Sequence, residues 1–175
     1  VPNNPFEPST IVGAIISKEQ YARIKSFIQQ GIDSGLKAIS AGLRQEQSDC
    51  SGYYIAPTVF IDVPEQSPLA TEEIFGPVLL ATEFETMSEA IRLANSSKYG
   101  LAASIWSASL DEALTCAKAL EAGIVHINSY GEDDMSVPFG GIKESGLGKD
   151  KSLFAFDEYS NLKTTWIKLR TDEKQ

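Results

Sequence analysis

The class of fold is predicted by residues 78–128, which read VLLATEFETMSEAIRLANSSKYGLAASIWSASLDEALTCAKALEAGIVHIN. Three apolar runs typical of strands, at 78–84, 101–106 and 124–128, alternate with two segments of helical periodicity. Short connections between strand and helix imply that the strands pair in parallel through right-handed crossovers. We therefore predict an α/β fold with an open, largely parallel twisted sheet and flanking helices.

The starts of three helices are predicted by capping boxes, in which an N-cap Ser or Thr is followed three positions later by Glu or Gln. These pairs are Ser17 with Gln20, Thr86 with Glu89 and Ser109 with Glu112. The first pair predicts an amphipathic helix over 18–34, with Gly35 as the stop. The second predicts a helix through Asn95, and the third predicts a helix that Gly123 ends.

Shorter elements surround this alternation. Strands are predicted at 37–40 and 162–169, and a short helix at 151–157. Residues 52–63 are rich in β-branched and aromatic side chains, but Pro57 divides them into two short extended pieces.

Composition and charge exclude several functional classes. The 175 residues carry a formal net charge of −9 without a basic stripe, so we predict no nucleic-acid binding. No apolar run approaches the roughly 20 residues that span a bilayer, so no membrane association is expected. The two cysteines, Cys50 and Cys116, form neither a zinc-binding spacing nor a disulfide framework, and no metal site is predicted. A reducing, cytoplasmic location is expected, with Cys116 as a small buried helix residue.

Residues 72–78, EEIFGPV, form the first candidate site. Gly76 permits backbone angles closed to other residues, and Pro77 sets its own φ and restricts Gly76. Such a rigid turn before a strand would hold Glu73 and Phe75 in defined directions. On these residues alone, a structural loop is the commoner interpretation.

The glycine-rich segment 138–148, PFGGIKESGLG, does not match a phosphate-binding loop. The P-loop pattern needs Ser or Thr at the position of Asp150, and the dinucleotide-binding pattern needs glycine at the position of Lys151. We interpret these glycines as positions where the backbone packs closely beneath a pocket.

Other polar residues near the last predicted parallel strand give weaker indications of a functional role. His126, the only histidine, lies between apolar neighbours within that strand and is interpreted as structural. The acidic run 132–134 leaves two interpretations open, a solvated loop or a role with a cationic substrate. It follows the carboxyl end of the strand, the edge where ligands bind in open α/β sheets.

Four segments together resemble the NAD(P)-dependent aldehyde dehydrogenase superfamily. They are EEIFGPV at 72–78, PFGGIKESGLG at 138–148, YYIAPTV at 53–59 and NSSKYGL at 95–101. The resemblance covers residues 4–169 and corresponds to the C-terminal part of that family's chain. Within the superfamily, residues 134–139 and 148–153 are most similar to the γ-glutamyl-γ-aminobutyraldehyde and aminoaldehyde dehydrogenases.

This resemblance implies an oxidoreductase that converts an aldehyde to a carboxylic acid with NAD or NADP. In that family a cysteine thiolate attacks the aldehyde, hydride passes to the nicotinamide, and an activated water releases the acid. By resemblance, Glu73 accepts hydrogen bonds from the nicotinamide ribose hydroxyls. Phe75 is expected to pack against the nicotinamide end.

On the substrate side, the resemblance implies that Phe139 lines the aldehyde tunnel and that residues 130–136 form the substrate-contacting loop. The candidate contacts in this loop are Tyr130, Asp133 and Asp134. Asp150 occupies the position where some relatives carry a Glu that relays protons, although the side chain of Asp150 is shorter. An acidic loop suits an aldehyde that bears an amine.

The family's reactive centre is missing from this sequence. The family's nucleophile stands in a GQxC motif and its general base in an ELGG-type motif, and neither motif occurs here. We therefore expect a fragment that has no turnover and binds no cofactor by itself, and in which no catalytic residue is present.

The resemblance also predicts how the chain is divided. Residues 1–160 are expected to be the C-terminal portion of the catalytic domain, 161–169 an oligomerisation strand and 170–175 a tail. A homo-oligomer, either a dimer or a tetramer, is expected. One alternative is a truncated, non-catalytic remnant that persists as an oligomerising α/β module. Another is an unrelated α/β binding module, which requires the motif matches to be chance.

Overall fold

The computed structural model describes residues 5–40, 52–131 and 134–169. The chain divides into two compact units, Val1–Ser97 and Lys98–Gln175. Each unit contains both helices and strands, which confirms the predicted α/β class.

The first unit packs a helix against a small mixed sheet. Its elements are α1 (Lys18–Asp33), β1 (Lys37–Ser40), β2 (Thr58–Ile61), α2 (Pro68–Thr71), β3 (Val78–Ala81) and α3 (Met87–Asn95). The strand order is β1-β2-β3, with β1 antiparallel to β2 and β2 parallel to β3. The register places Thr58 opposite Val78 and Ile61 opposite Ala81.

The core of the first unit lies between α1 and this sheet. Ile24 of α1 and Phe60 of β2 are fully buried. The other buried members of the cluster are Ile55, Val63, Leu69 and Ile74. A Cβ at Gly31 would lie 2.6 Å from the Phe60 ring, so α1 approaches β2 closely at this glycine. Ile74 joins the core directly to the segment that follows α2.

The second unit contains two short sheets. Its elements are β4 (Tyr99–Gly100), β5 (Ala102–Ile105), α4 (Leu110–Ala119), β6 (Ile124–Ile127), β7 (Ile142–Lys143) and α5 (Ala155–Glu158). β5 and β6 pair in parallel across α4, as the predicted strand–helix–strand pattern requires. β4 and β7 pair antiparallel, which brings part of the glycine-rich segment beside Tyr99 and Gly100.

Side-chain caps confirm all three predicted helix starts. The N-cap hydroxyls accept hydrogen bonds from backbone amides, Ser17 from Gln20 at 3.2 Å, Thr86 from Glu89 at 3.2 Å and Ser109 from Glu112 at 3.4 Å. Each cap satisfies an amide that has no partner within the first turn of the helix. The two glutamates do not complete a capping box, in which each would accept a hydrogen bond from the amide of the N-cap residue. Glu89 accepts instead from the Glu85 amide, and Glu112 accepts from the Ser107 hydroxyl.

Several predicted boundaries are wrong. The helix expected to end at Gly123 ends at Ala119, because Leu120 takes an extended conformation with ψ 131°. The helix expected over 151–157 is observed only as α5, because Lys151 and Ser152 have positive φ angles that a right-handed helix excludes. Three observed elements, α2, β4 and β7, have no counterpart in the predictions, since two to four residues are too short to show a period.

Residues 161–169 have no regular secondary structure, and their side chains are exposed. The oligomerisation strand expected there stays a prediction, since a strand that pairs only with another subunit has no partner in a single chain.

The cysteines and the histidine are placed as follows. Cys116 lies in α4 and is half-buried, not buried as predicted, because its helix leaves that face only partly covered. Cys50 lies outside the described residues. His126 is half-buried in β6, opposite Ser104 of β5. Among the helices that the structure describes, none is long and apolar enough to cross a bilayer.

Candidate functional site

Residues 72–78 form a turn between α2 and β3 that presents side chains on the surface of the first unit. Ile74 is buried, with 8% of its surface exposed. Glu73 is exposed, and Phe75 is 75% exposed. One residue therefore anchors the turn in the core, while the residues on either side face solvent.

The unusual backbone angle in this turn belongs to Phe75. Its φ is +57°, in the left-handed region that non-glycine residues seldom occupy. Gly76 is required for space instead, because a Cβ there would lie 2.6 Å from Ile24 Cδ1. The expectation that Gly76 supplies the special backbone angle is therefore wrong. Backbone strain of this kind clusters at ligand-binding sites.

Two side chains of α1 hold the backbone of the turn. Gln20 Nε2 donates hydrogen bonds to the carbonyl oxygens of Ile74 at 2.9 Å and Phe75 at 3.0 Å. The Arg23 guanidinium donates to the Ile74 carbonyl at 2.8 Å and also to the Glu73 carbonyl. One helix thus holds the carbonyl groups of three consecutive residues, including the strained Phe75.

Sequence reasoning missed the part that Gln20 and Arg23 play. The sequence predicts Gln20 only as a capping residue and gives no predicted role for Arg23. The one local signal is their spacing of three, which places both side chains on the same face of α1. Their bonding partners lie 50 to 55 residues away, beyond the reach of any local pattern.

Glu73 and Phe75 offer complementary chemistry on this fixed backbone. Among the described residues, none donates a hydrogen bond to the Glu73 carboxylate or forms an ion pair with it. A carboxylate can accept hydrogen bonds from two hydroxyl groups at once. The exposed Phe75 ring provides a flat apolar surface for stacking. The turn therefore offers a hydrogen-bond acceptor and an apolar ring two positions apart, and both are exposed to solvent.

In the second unit, the glycine-rich segment is closed into a loop. Phe139 and Asp150 exchange backbone hydrogen bonds of 2.8 and 2.7 Å. Lys149 Nζ donates to the carbonyl oxygens of Gly140 at 3.0 Å and Gly141 at 2.7 Å. These bonds fix the backbone around Phe139, whose side chain is half-buried.

Close packing requires glycine at two positions here. This role is predicted for Gly140 within the segment 138–148, whereas Gly123 is predicted only to end a helix. A Cβ at Gly140 would collide with the carbonyl oxygen of Gly148, and a Cβ at Gly123 would collide with the carbonyl oxygen of Gly140. Neither Gly123 nor Gly140 has a positive φ, so the demand for glycine is one of space.

Of the acidic residues in the loop 130–136, the structure describes Asp134, whereas Asp133 lies outside the described residues. Asp134 Oδ1 accepts a hydrogen bond from the Ser136 amide at 2.7 Å, and this bond lowers the pKa of Asp134 below its ordinary value. The Ser136 side chain and the positive charge of Lys151 also lower that pKa. Asp134 is therefore an anion at neutral pH. Tyr130, at the start of the loop, is 81% exposed.

A cavity of about 630 Å³ lies beside this loop. Its lining includes Met135, Ser136, Lys151, Leu153, Phe156 and Tyr159. The Lys151 ammonium also lies 5.0 Å from the centre of the Phe139 ring. Lys151 therefore belongs both to the cavity wall and to the surroundings of Phe139.

Asp150 lines the same cavity and is exposed. The structure thus brings Asp134, Phe139 and Asp150 into one region of the second unit, around Lys151. Asp150 contributes its backbone to the pairing with Phe139, and its role as a proton relay stays a prediction. Within the part of the chain that the structure describes, no group of three or more His, Cys, Asp or Glu side chains is arranged to hold a metal ion.

Comparison with known proteins identifies the family. Residues 1–165 match the model of the aldehyde dehydrogenase family. The chain is 44% identical over 160 residues to the putative aldehyde dehydrogenase DhaS of Bacillus subtilis, covering 91% of this chain and 32% of that protein. It is 42% identical over 171 residues to the NADP/NAD-dependent aldehyde dehydrogenase PuuC of Escherichia coli, covering 96% and 33%. It is also 42% identical over 165 residues to an aminoacetaldehyde dehydrogenase of Pseudomonas aeruginosa, covering 94% and 32%.

Solved structures agree with this result. The chain superimposes with a TM-score of 0.87 and 48% identity on the P. syringae indole-3-acetaldehyde dehydrogenase AldA in complex with NAD+ and IAA, covering 96% of this chain and 34% of that one. The aldehyde dehydrogenase KauB from Pseudomonas aeruginosa gives a TM-score of 0.88 at 48% identity, covering 97% and 34%.

The chain belongs to the aldehyde dehydrogenase family. The resemblance found in the four sequence segments is therefore confirmed, including its similarity to an aminoaldehyde enzyme, the aminoacetaldehyde dehydrogenase. The chain spans about a third of the length of the curated relatives it matches.

Proposed function

We propose that this chain is the C-terminal part of an NAD(P)-dependent aldehyde dehydrogenase that oxidises an aldehyde of the aminoaldehyde class to a carboxylic acid. The observation that carries the proposal is the turn at 72–78, where α1 holds the backbone and Glu73 and Phe75 remain exposed. Membership of the family and the NAD+ bound in similar solved structures support it.

On the cofactor side, Glu73 accepts hydrogen bonds from the two hydroxyls of the nicotinamide ribose of NAD or NADP. Phe75 packs its ring against the nicotinamide end. Gln20 and Arg23 position both residues, because they fix the carbonyl groups of the turn. The nicotinamide, when bound, supplies the hydride acceptor that aldehyde oxidation needs.

On the substrate side, Phe139 forms part of the wall of the aldehyde passage. The substrate contacts of the loop 130–136 are Tyr130, Asp133 and Asp134. Because Asp134 is ionised at neutral pH, it attracts an ammonium group on the substrate. The similarity to an aminoacetaldehyde dehydrogenase and to a betaine aldehyde dehydrogenase supports a nitrogen-bearing aldehyde.

The bond-making groups come from residues outside this sequence. Neither the GQxC motif of the nucleophile nor the ELGG-type motif of the general base occurs in it. The residues of this chain therefore bind and orient the reactants, while a thiolate and a general base elsewhere in the longer protein carry the chemical steps. A cytoplasmic homo-oligomer, joined through residues 161–169, belongs to the same proposal.

A second candidate function is a truncated, non-catalytic remnant that persists as an oligomerising module. The missing nucleophile and general base favour it. The two candidates differ in the gene, since only the first requires an in-frame GQxC segment encoded upstream of Val1.

The contact of Glu73 with ribose is tested by Glu73→Gln in the full-length enzyme. The amide is uncharged and keeps only one acceptor oxygen, so the KM for NAD should rise roughly 10- to 100-fold, with a much smaller change in the KM for the aldehyde. Steady-state kinetics with each reactant varied in turn measures both values.

Glu83→Gln is the matched control, because it removes another exposed carboxylate from the same unit. It should leave both KM values near those of the wild type. Equal KM values for NAD in the wild type and in Glu73→Gln would contradict the assignment.

A further inference from the structure

Lys151 is held in a backbone conformation that few side chains adopt. Its φ is +60°, and that of Ser152 is +53°, so two consecutive non-glycine residues lie in the left-handed region. The turn is held from both sides, by the backbone pairing of Asp150 with Phe139 and by the Ser152 amide, which donates to the Met135 carbonyl at 2.9 Å. The backbone from which the Lys151 side chain leaves is therefore fixed by the fold.

The result of this turn is a cation placed over an aromatic ring. The Lys151 ammonium lies 5.0 Å from the centroid of the Phe139 ring, within the range of a cation–π interaction. Both side chains are half-buried, so water screens their attraction less than it would at an open surface. One face of the Phe139 ring is thus already occupied by this protein's own cation.

We infer that Lys151 is a specificity-determining residue that reserves the face of Phe139 for the uncharged part of the substrate. An ammonium-bearing aldehyde cannot use a ring face that a lysine already covers. Its ammonium group is directed instead to the carboxylates of the acidic loop, such as Asp134. A neutral aldehyde of the same shape meets no such opposition. This inference rests on the proposed function, in which Phe139 lines the aldehyde passage.

The test compares two isosteric aldehydes, 3-aminopropanal and butanal, in the full-length enzyme. Lys151→Met removes the charge and nearly preserves the length of the side chain. The ratio of kcat/KM for 3-aminopropanal to kcat/KM for butanal should rise roughly three- to tenfold relative to the wild type. Lys151→Arg keeps a cation that can lie over the ring and should keep the ratio of the wild type.

Two further variants separate specificity from a general loss of structure. Lys118→Met removes the same charge from the exposed surface of α4 and should leave the ratio unchanged. In a Phe139→Leu background, Lys151→Met should change the ratio by less than about twofold, because no ring remains to be uncovered. Lys151→Gln serves as a second uncharged variant if Lys151→Met does not fold.

The possible outcomes separate this inference from the function on which it rests. If the wild-type enzyme oxidises both aldehydes and uncharged variants at Lys151 leave the ratio unchanged, the inference is overturned and the proposed function stands. A change in the ratio that persists undiminished without the Phe139 ring also overturns it. If the wild-type enzyme oxidises neither aldehyde nor any other, the proposed function fails and the inference fails with it.

Discussion

Phe75 shows what a single residue contributes to this surface. A side chain at φ +57° is disfavoured by roughly 1–2 kcal/mol relative to a right-handed conformation. Glycine would remove that cost, but it would also remove the exposed ring. The hydrogen bonds from Gln20 and Arg23 to the carbonyls of this turn offset the strain. These bonds explain how a non-glycine residue keeps this conformation in the turn.

Gly76→Ala is expected to destabilise the chain by about 1–3 kcal/mol, because the new methyl group would lie 2.6 Å from the fully buried Ile24. Urea unfolding of the 175-residue chain measures the change. Gly13→Ala is the control, since its Cβ would meet nothing closer than Pro5 at 4.0 Å. Equal urea midpoints for the two variants would show that the turn accommodates the methyl group without loss of stability.

At the scale of the elements, a bidentate ion pair links α3 to the rest of its unit. Both terminal nitrogens of the Arg92 guanidinium donate to the Glu65 carboxylate at 2.8 Å, which links α3 to the segment that precedes α2. The hydrogen bond from Arg92 lowers the pKa of Glu65 below its ordinary value. A bidentate pair of this kind is more specific in geometry than a single contact between point charges.

The stability that this ion pair contributes should depend on pH. Because the pKa of Glu65 is depressed in the folded state, the contribution is complete above the ordinary value of 4.5 and is lost as the pH falls through the folded-state pKa. Glu65→Gln should therefore lower the Tm of the chain at pH 7, and the difference from wild type should shrink as the pH falls below 4.5. Thermal unfolding followed by circular dichroism measures it. Equal Tm differences between Glu65→Gln and the wild type at pH 7 and at a pH below 4.5 would contradict the role of the charge.

How much of the structure the sequence predicts depends on how local each feature is. The caps at Ser17, Thr86 and Ser109 involve residues three positions apart, and the sequence predicts all three correctly. The bonds from Gln20 and Arg23 to the turn at 72–78 join residues about fifty positions apart, and no periodicity encodes them. Glu73 and Phe75 could be named from a motif, but the reason for their rigidity could be found only in the packing of α1.

On the scale of the whole molecule, the described residues of the chain include an uncovered apolar surface. Large side chains that remain mostly exposed cluster towards its C-terminal end; they include Leu153, Phe156, Tyr159, Leu162, Trp166 and Ile167. Apolar surface of this extent is typical of regions that other protein covers.

The isolated 175-residue chain is expected to have no dehydrogenase turnover, because its sequence has no GQxC nucleophile and no ELGG-type general base. The measurement is absorbance at the NADH band during incubation of the pure chain with NAD and an aldehyde. The full-length enzyme at the same molar concentration is the positive control. NADH formation by the chain above the rate without protein would disprove this expectation.

The contact between Gly123 and Gly140 has a practical consequence for engineering. At each of these two positions, one added methyl group would collide with a carbonyl oxygen. Even the smallest substitution, glycine to alanine, would therefore displace the main chain next to Phe139. Under the proposed function, laboratory evolution of a new aldehyde preference should therefore accumulate its changes in the side chains that line the cavity, at positions such as Met135, Lys151 and Tyr159. Libraries that keep Gly123 and Gly140 should contain a larger fraction of folded variants than libraries that also randomise these two positions.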